Sequence, residues 1–225
     1  MELTAGASFL NMFFASYDEA ILSFLHSLRC GPLTFLFKAL TFIGEKGVVF
    51  FAIALVLMMF SNTRKTGICL FGAVACGALI TNVILKDMIA RPRPFNFEPY
   101  LQWWKDVGSP AEDGFSFPSG HVTAAAAGMT AIYLRKRRGW LVPAVVVVVL
   151  MCVARNYLMA HYPSDVLAAA IIGIVSAVIA WAITNVIYGF LKKNQKKPWS
   201  QFIRKWDIRS LSGNKAGSYS GKHSR

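Results

Sequence analysis

Three short polar clusters interrupt long apolar runs, and each carries residue types that bind or transfer phosphate groups. The clusters are Lys86–Pro94 (KDMIARPRP), Phe117–His121 (FPSGH) and Arg155–Asp165 (RNYLMAHYPSD). Arginine offers a forked set of donors that matches phosphate oxygens, and lysine adds a mobile positive charge. These residue types predict a site for a phosphate group.

The second cluster predicts the start of a helix that faces an anion. In the sequence PSGH, a serine hydroxyl precedes free backbone N–H groups and the positive end of the helix dipole, and the glycine permits close approach. Ser119 and Gly120 are therefore predicted to bind phosphate. The predicted cations of the same site are Lys86, Arg93 and Arg155.

The two histidines divide the predicted chemistry. Asp165 can reach His161 across the turn where Pro163 begins the next helix, and a carboxylate in that position orients the imidazole and makes it more basic. His161 is therefore the candidate nucleophile, and His121, at the edge of the anion site, can protonate the departing oxygen. No cluster of carboxylates or cysteines suggests a metal site. Because the cations already supply the charge that Mg²⁺ would bring, no cofactor is expected.

Each cluster also has a purely structural explanation. Lys86 and Arg91 fit snorkelling cations at a helix end, and Ser119 fits an ordinary N-cap. His161 and Asp165 fit a hydrogen-bonded pair at the membrane interface. However, cations, histidines and a carboxylate that arrive at one depth from four helices are hard to explain by topology alone, which favours a functional site.

Composition predicts the elements that position these clusters. The chain has 225 residues, of which 55% are hydrophobic and 16% charged, with a mean hydropathy of +0.46. These values indicate an all-α, polytopic membrane helical bundle, with one embedded domain over residues 1–191.

A helical span needs roughly 20 apolar residues. Six candidates are Gly31–Gly44, Val48–Ser61, Gly67–Leu85, Gly120–Leu134, Trp140–Leu158 and Asp165–Leu191. Before them, Phe9–Leu28 has the pattern of an amphipathic interfacial helix.

Basic residues set the predicted orientation, because short loops rich in Lys and Arg stay in the cytoplasm. Arg64 and Lys65, the four bases of Arg135–Arg138 and the ten of the tail over residues 192–225 fall on one side. With six spans, both termini are cytoplasmic and the polar clusters face the outside of the cell membrane. Lipid headgroups, not nucleic acid, are the expected partner of the tail. Its end, SGNKAGSYSGKHSR, is predicted to be disordered.

Taken in order, the three clusters resemble the signature of the type 2 phosphatidic acid phosphatase (PAP2) superfamily: Lys-x6-Arg-Pro, Pro-Ser-Gly-His and Ser-Arg-x5-His-x3-Asp. One position departs, since Ala154 stands where the family has a serine of the phosphate-binding set, with Asn156 or Tyr157 as candidate replacements. The resemblance implies a metal-independent phosphomonoester or diphosphate hydrolase that forms a phosphohistidine on His161. It also implies that His121 is the general acid. The phosphate-binding residues that it implies are Lys86, Arg93, Ser119, Gly120 and Arg155.

The expected substrate is a lipid phosphate, because a site at the membrane surface suits a lipid whose tail stays in the bilayer. Similarity to small bacterial members of the superfamily points to undecaprenyl diphosphate, with phosphatidylglycerophosphate or phosphatidate as alternatives. Two other classes are a transporter and a non-catalytic lipid-phosphate binder. A transporter normally lines a path through the membrane, whereas these charges stop at one face. A binder has no need of the His161–Asp165 pair. The sequence carries no signal for the oligomeric state.

Overall fold

Helices make up the fold, and residues 3–110, 112–137 and 139–212, which the structure describes, contain no β-strand. The structure is a computed structural model, with side chains described in these ranges except at 46, 211 and 212. Its helices are α1 (Ala5–Ser27), α2 (Gly31–Ile43), α3 (Val48–Met59), α4 (Arg64–Ala78), α5 (Lys86–Ile89), α6 (Tyr100–Val107), α7 (Gly120–Lys136), α8 (Leu141–Tyr157), α9 (Pro163–Lys193) and α10 (Pro198–Lys205). A π-helical stretch, Leu79–Leu85, joins α4 to α5. The all-α prediction is confirmed.

Small residues bring α4, α7 and α9 into close contact at the centre of the bundle. A Cβ atom on Gly173 of α9 would lie 2.6 Å from the Cβ of Ala126 in α7. A Cβ atom on Gly77 of α4 would lie 2.9 Å from Thr123, also in α7. Close backbone approach of this kind is how helices associate in lipid, where tails are as apolar as the side chains. The three helices form a tight frame, and the first residues of α7 and α9 lie at the same end of it, here called the site end.

Helices α2 and α3 run on from one another as a single bent path. They have 13 and 12 residues and meet at an angle of 48°. At 1.5 Å per residue each is roughly 20 Å long, too short for a bilayer core of ~30 Å. Six separate spans are therefore not confirmed, because Gly31–Gly44 and Val48–Ser61, predicted as two spans, join into one path. Gly47, with a φ of 69°, turns the chain there without reversing it.

Contacts along the bent path show its direction. Within α2, Lys38 Nζ donates to the Gly108 carbonyl at the site end, at 2.8 Å. In α3, the carbonyl oxygen of Ala54 would lie 2.6 Å from a Cβ atom on Gly67, near the start of α4. The path therefore leads from the site end to the other end of the bundle, here called the opposite end.

Apolar surfaces cover the outside of the bundle. Within the described ranges, Arg64–Asn96 and Pro163–Lys193 are each long and apolar enough to cross a bilayer, and the bent α2–α3 pair is a third candidate. Helices α7 and α8, with 17 residues each, reach the lower limit of a span. Large apolar side chains remain exposed, including Phe42 at 78% and Val186 at 73%. Such a surface indicates a membrane environment.

Helix α1 lies across the site end. Three contacts along its length and just beyond it hold it there: Thr4 with the Ile89 carbonyl, Asp18 with Arg91, and Arg29 with the Tyr157 carbonyl. Because all three partners lie at the site ends of other helices or just past them, α1 crosses the end of the bundle. This geometry is the one expected of the predicted interfacial helix over Phe9–Leu28.

At the opposite end, the tail folds back onto the turn between α3 and α4. The Arg64 guanidinium donates to the carbonyls of Met58 at 2.9 Å, Ile203 at 2.7 Å and Trp206. Asp207 accepts hydrogen bonds from the Ser61 backbone N–H and hydroxyl, both at 2.9 Å. The predicted disordered end falls on residues 212–225, and 213–225 lie outside the described residues.

Candidate active site

All three polar clusters meet around one cavity of about 810 Å³ at the site end. Five of the eight predicted site residues line it: Lys86, Arg93, Gly120, His121 and His161. The other three are buried beside that lining: Ser119 precedes Gly120, Arg155 is bonded to the lining residue Glu112, and Asp165 lies 4.0 Å from His161. The structure therefore brings all eight together. The cavity also continues to the apolar side chains of Phe42, Val74 and Ala78.

Two buried arginines share one carboxylate in this cavity. Arg93 NH1 lies 3.0 Å from one oxygen of Glu112, and Arg155 NH2 donates to the other. Arg93 also donates to three main-chain carbonyls, those of Gly114, Ala160 and Asp113. Burial alone would raise the pKa of Glu112, but the charges of Arg155 and Arg93 lower that pKa below its ordinary value. An ionised carboxylate therefore occupies the donors that match a phosphate.

His161 turns its Nε2 toward the arginines. Its Nδ1 lies 2.7 Å from the Ser116 carbonyl oxygen, which can only accept, so Nδ1 carries the proton. Nε2 keeps its lone pair and lies 3.4 Å from Arg93 NH1. Burial holds the pKa of His161 well below 6.5, and the charges of Arg93 and Arg155 lower that pKa further. The imidazole is thus neutral and suited to attack phosphorus.

Asp165 supports His161 differently from the prediction. The distance from its Oδ2 to His161 Nδ1 is 4.0 Å, too long for a hydrogen bond. Instead, Oδ2 accepts from the Ser116 hydroxyl at 2.5 Å and from the Tyr162 backbone N–H at 3.0 Å. The second bond belongs to a capping box that starts α9. Asp165 therefore acts on His161 through Ser116, whose carbonyl orients the imidazole.

The start of α7 offers uncommitted polar atoms to the cavity. Ser119 occupies the N-cap position, yet its side chain makes no capping bond. Ser119 Oγ, His121 Nε2 and Arg155 Nε are buried without a hydrogen-bond partner in the described part of the chain. Buried polar atoms without partners are costly, and native proteins rarely keep them without a reason. Each of the three is an atom type that can donate a hydrogen bond to a phosphate oxygen.

The π-helical stretch positions two polar side chains at the cavity, and one of them is the predicted Lys86. Asn82 lies within it and Lys86 directly after it, and both line the cavity. Stretches of this kind often accompany functional sites, because the extra residue changes where the following side chains point. A Cβ atom on Gly120 would lie 3.3 Å from Asn82 Oδ1, so the glycine makes room for that amide. Within the described residues, no group of three or more His, Cys, Asp or Glu is placed to hold a metal ion.

Ala154, which replaces the family serine, lies in an apolar cluster with Phe37 and Val107 and is fully buried. The Tyr157 hydroxyl is 2.8 Å from the hydroxyl of Thr34, in α2, so it is engaged away from the cavity. Asn156 Oδ1 is buried and has no partner among the described residues. Of the two candidate replacements, Asn156 is the one with an uncommitted polar atom.

Several residues that hold the site together were not predicted to belong to it, among them Arg91, Asp18, Glu112 and Ser116. Arg91 was expected to be at most a snorkelling cation, but it is 1% exposed and bonded to Asp165. Its position two residues before Arg93 was a usable signal. Asp18, Glu112 and Ser116 carry no such signal, because α1 and the loop before α7 bring them to the site from outside the motifs.

Comparison with known proteins gives a consistent set of relatives. The model of the PAP2 superfamily matches residues 66–188, more than half of the chain. An undecaprenyl-diphosphatase of Sulfolobus acidocaldarius is 29% identical over 127 residues, which are 56% of this chain and 58% of the relative. The match thus spans less than two thirds of that relative. Undecaprenyl-diphosphatase BcrC of Bacillus subtilis is 28% identical over 155 residues, 68% of this chain and 77% of the relative.

Solved structures share the fold. A PAP2-type phosphatidylglycerolphosphate phosphatase from Bacillus subtilis superposes with a TM-score of 0.65 at 23% identity, covering 81% of this chain and 92% of its own. LpxE of Aquifex aeolicus has a TM-score of 0.57 at 22% identity, covering 72% of this chain and 92% of its own. At these identities, the likeness establishes the fold.

Proposed function

This chain belongs to the PAP2 superfamily, and from that membership we propose that it is an integral membrane lipid phosphatase. In the proposed reaction, it hydrolyses the terminal phosphate of a lipid diphosphate through a phosphohistidine on His161. The observation that carries the proposal is the unprotonated Nε2 of His161, 3.4 Å from Arg93 in a cavity that joins polar and apolar walls.

The first step forms a covalent intermediate. The lone pair of His161 Nε2 attacks phosphorus, and the bond between phosphorus and the bridging oxygen breaks. His121, which enters this step as the imidazolium, donates its proton to that oxygen, and the lipid monophosphate departs. In the second step, His121 takes a proton from water, which attacks the phosphohistidine. Inorganic phosphate leaves, and His161 returns to its neutral form.

Positive charge stabilises both transition states. Arg93 and Arg155 bind the phosphoryl oxygens through their forked donors, and Lys86 adds a third charge. The Ser119 hydroxyl and the first N–H groups of α7 complete the pocket. Glu112 must release the two arginines as the phosphate enters. Since these side chains supply the charge stabilisation, turnover is expected to resist EDTA.

Undecaprenyl diphosphate is the proposed substrate, and phosphatidylglycerophosphate or phosphatidate is the alternative. Two relatives carry the name undecaprenyl-diphosphatase, which supports the first choice. A structural neighbour named for phosphatidylglycerolphosphate supports the alternative through its fold alone. The apolar arm of the cavity, at Phe42, Val74 and Ala78, suits the first carbons of either lipid tail.

The proposed topology has five crossings of the cell membrane: the bent α2–α3 pair, α4 with its extension to α5, α7, α8 and α9. Basic loops then place the opposite end in the cytoplasm and the active site outside. The odd number of crossings, together with α1 lying across the site end, puts the N-terminus outside and the tail inside. The six-span prediction had placed both termini in the cytoplasm.

Cysteine labelling tests this topology in cells whose native cysteines are replaced by serine or alanine. Cysteines at Ser8 and Ser109 should react with a membrane-impermeant thiol reagent in intact cells. A cysteine at Ser218 should react only after lysis. Protection of the Ser8 site with labelling at Ser109 would restore the six-span arrangement. Protection of Ser109 would place the active site in the cytoplasm.

Phosphate release from the purified protein tests the function itself. Undecaprenyl diphosphate, undecaprenyl phosphate, phosphatidylglycerophosphate and phosphatidate are each supplied in detergent micelles, with and without EDTA. Undecaprenyl diphosphate should give the highest kcat/KM, and EDTA should leave that value unchanged. Absence of release from all four lipids would leave a binder or transporter as the better explanation.

A further inference from the structure

We propose that Asp18 and Arg91 are positioning residues for the phosphatase reaction: they hold Asp165 and the start of α9, and through them the His161 imidazole, in the reactive arrangement. The inference rests on the proposed function. It extends the catalytic unit to α1, which lies outside all three sequence motifs.

Asp18 has only 2% of its surface exposed, although the helix that carries it presents many exposed apolar side chains. Its Oδ1 accepts from the Ser164 backbone N–H at 2.8 Å, and its Oδ2 accepts from the Ser164 hydroxyl at 2.7 Å. That N–H belongs to the first turn of α9, where backbone donors have no partner within the helix. A carboxylate there also complements the helix dipole. Asp18 therefore caps α9 from a different part of the chain.

Arg91 connects Asp18 to Asp165. Its NH2 lies 2.8 Å from Asp18 Oδ2, and its NH1 lies 2.6 Å from Asp165 Oδ1. Its Nε donates to Asn11 Oδ1 at 2.8 Å, and its guanidinium carbon lies 3.9 Å from the centre of the Tyr162 ring. A planar group held from several directions cannot rotate freely. The position of Asp165 is therefore fixed by α1.

The connection continues to the reacting atom. Asp165 Oδ2 accepts from the Ser116 hydroxyl at 2.5 Å, and the Ser116 carbonyl holds His161 Nδ1 at 2.7 Å. A displaced Asp165 releases Ser116 and lets the imidazole turn. Misplacement of a reacting group by about 1 Å can cost about 100-fold in rate. Arg91 also reaches Ser116 directly, because its main-chain carbonyl accepts from the Ser116 backbone N–H at 2.7 Å. Both routes from α1 therefore converge on the residue that orients His161.

Single-turnover kinetics separate a positioning role from a structural one. Undecaprenyl diphosphate with a ³²P-labelled terminal phosphate is mixed with saturating enzyme. The rate constant reports chemistry at folded sites, and the amplitude reports the folded fraction. Asp18→Asn keeps the side-chain shape but removes the charge that holds Arg91. We expect its rate constant to fall roughly 10- to 100-fold, as when supports of metal-ligating histidines are removed. The matched control is Glu19→Gln, at the exposed neighbouring position, which should equal wild type.

A milder variant covers the case in which Asp18→Asn fails to fold. Asn11→Ala removes one hydrogen bond to Arg91 from a partly exposed position and should lower the rate constant about fivefold, the equivalent of about 1 kcal/mol. An unchanged rate constant with reduced amplitude in Asp18→Asn would overturn the positioning role and leave the phosphatase function intact. If Asp18→Asn does not fold, an unchanged rate constant in Asn11→Ala would do the same. No hydrolysis by the wild type would instead reject the proposed function, and the positioning role with it.

Discussion

Two buried arginines at opposite ends of the bundle are satisfied in different ways. At the opposite end, Arg64 donates to three main-chain carbonyls and ties the tail to the α3–α4 turn. At the site end, Arg155 donates to the partly exposed carboxylate of Glu112, and its Nε has no partner in the described residues. An arginine held by main-chain acceptors alone suits a structural role, whereas Arg93 at the site end combines such bonds with one to Glu112. A movable carboxylate and a spare donor suit an arginine that binds a ligand.

The sharpest test of the site end is His161→Ala. Hydrolysis of undecaprenyl diphosphate should fall to background, because the attacking nitrogen is removed, while the melting temperature should stay close to that of the wild type. His26→Ala is the matched control, since His26 stacks on Trp103 outside the motifs and should leave kcat within about twofold. Full activity in His161→Ala would end the nucleophile assignment.

The same Arg→Lys substitution should have opposite consequences at the two ends. Arg155→Lys replaces a forked donor by a point charge and should lower kcat/KM by about 10- to 100-fold, the equivalent of ~1.5–3 kcal/mol for hydrogen bonds to a charged group. Arg64→Lys should leave kcat/KM unchanged and lower the melting temperature, because it loses bonds to the tail. Loss of activity in Arg64→Lys at full folding would break the distinction between the ends.

Glu112 tests whether the arginines at the site end are held for a ligand. Glu112→Gln removes the charge that competes with phosphate, so orthovanadate should inhibit at a concentration about 3- to 10-fold lower, allowing for partial screening by solvent. Asp113→Asn is the control, because Asp113 bonds Arg93 only through its main-chain carbonyl in the structure. Weaker inhibition of Glu112→Gln would mean that the carboxylate assists binding.

The smallest effect expected is in the acid limb of the pH profile. The groups that face His161 and lower its pKa, after burial itself, are Arg93, Arg155, His121 and Lys86. With a folded pKa well below 6.5, His161 stays neutral and reactive as the pH falls through 6.5. Between pH 8 and 5.5, kcat/KM should therefore lack the roughly tenfold fall that an unshifted histidine would cause. An acid limb near pH 6.5 that persists in His121→Gln would contradict this.

The sequence predicted which motif residues meet, but not how the site holds them. The residue types and their spacing in the motifs placed Arg93, His121 and His161 at the predicted site, because phosphate chemistry requires those side chains. The partner of His161 Nδ1 could not be predicted, since a main-chain carbonyl such as that of Ser116 has no residue-type signal. The role of Asp18 could not be predicted for another reason. Its partner Arg91 lies 73 positions later, and one carboxylate on an amphipathic helix is typical of a solvated face.

The membrane topology, too, could be predicted from the sequence only in part. The composition, with its long apolar runs, indicated an all-helical bundle with spans close to α8 and α9. It did not show that α2 and α3 join into one path, because each half is apolar and Glu45–Gly47 between them resembles a loop between spans. The join depends on the 48° angle, which three-dimensional packing sets.

The size of the cavity has a consequence for kinetics. Its volume of about 810 Å³ falls in the range that holds a drug-sized molecule, roughly 300–1,000 Å³. The polyprenyl chain of the proposed substrate, with its many isoprene units, cannot fit inside, so most of that lipid stays among its neighbours in the leaflet throughout turnover. Encounter is then two-dimensional diffusion, and the enzyme responds to the mole fraction of substrate in the membrane and not to its bulk concentration. Diluting the substrate with inert phospholipid should slow the reaction even when the total amounts of enzyme and substrate stay constant.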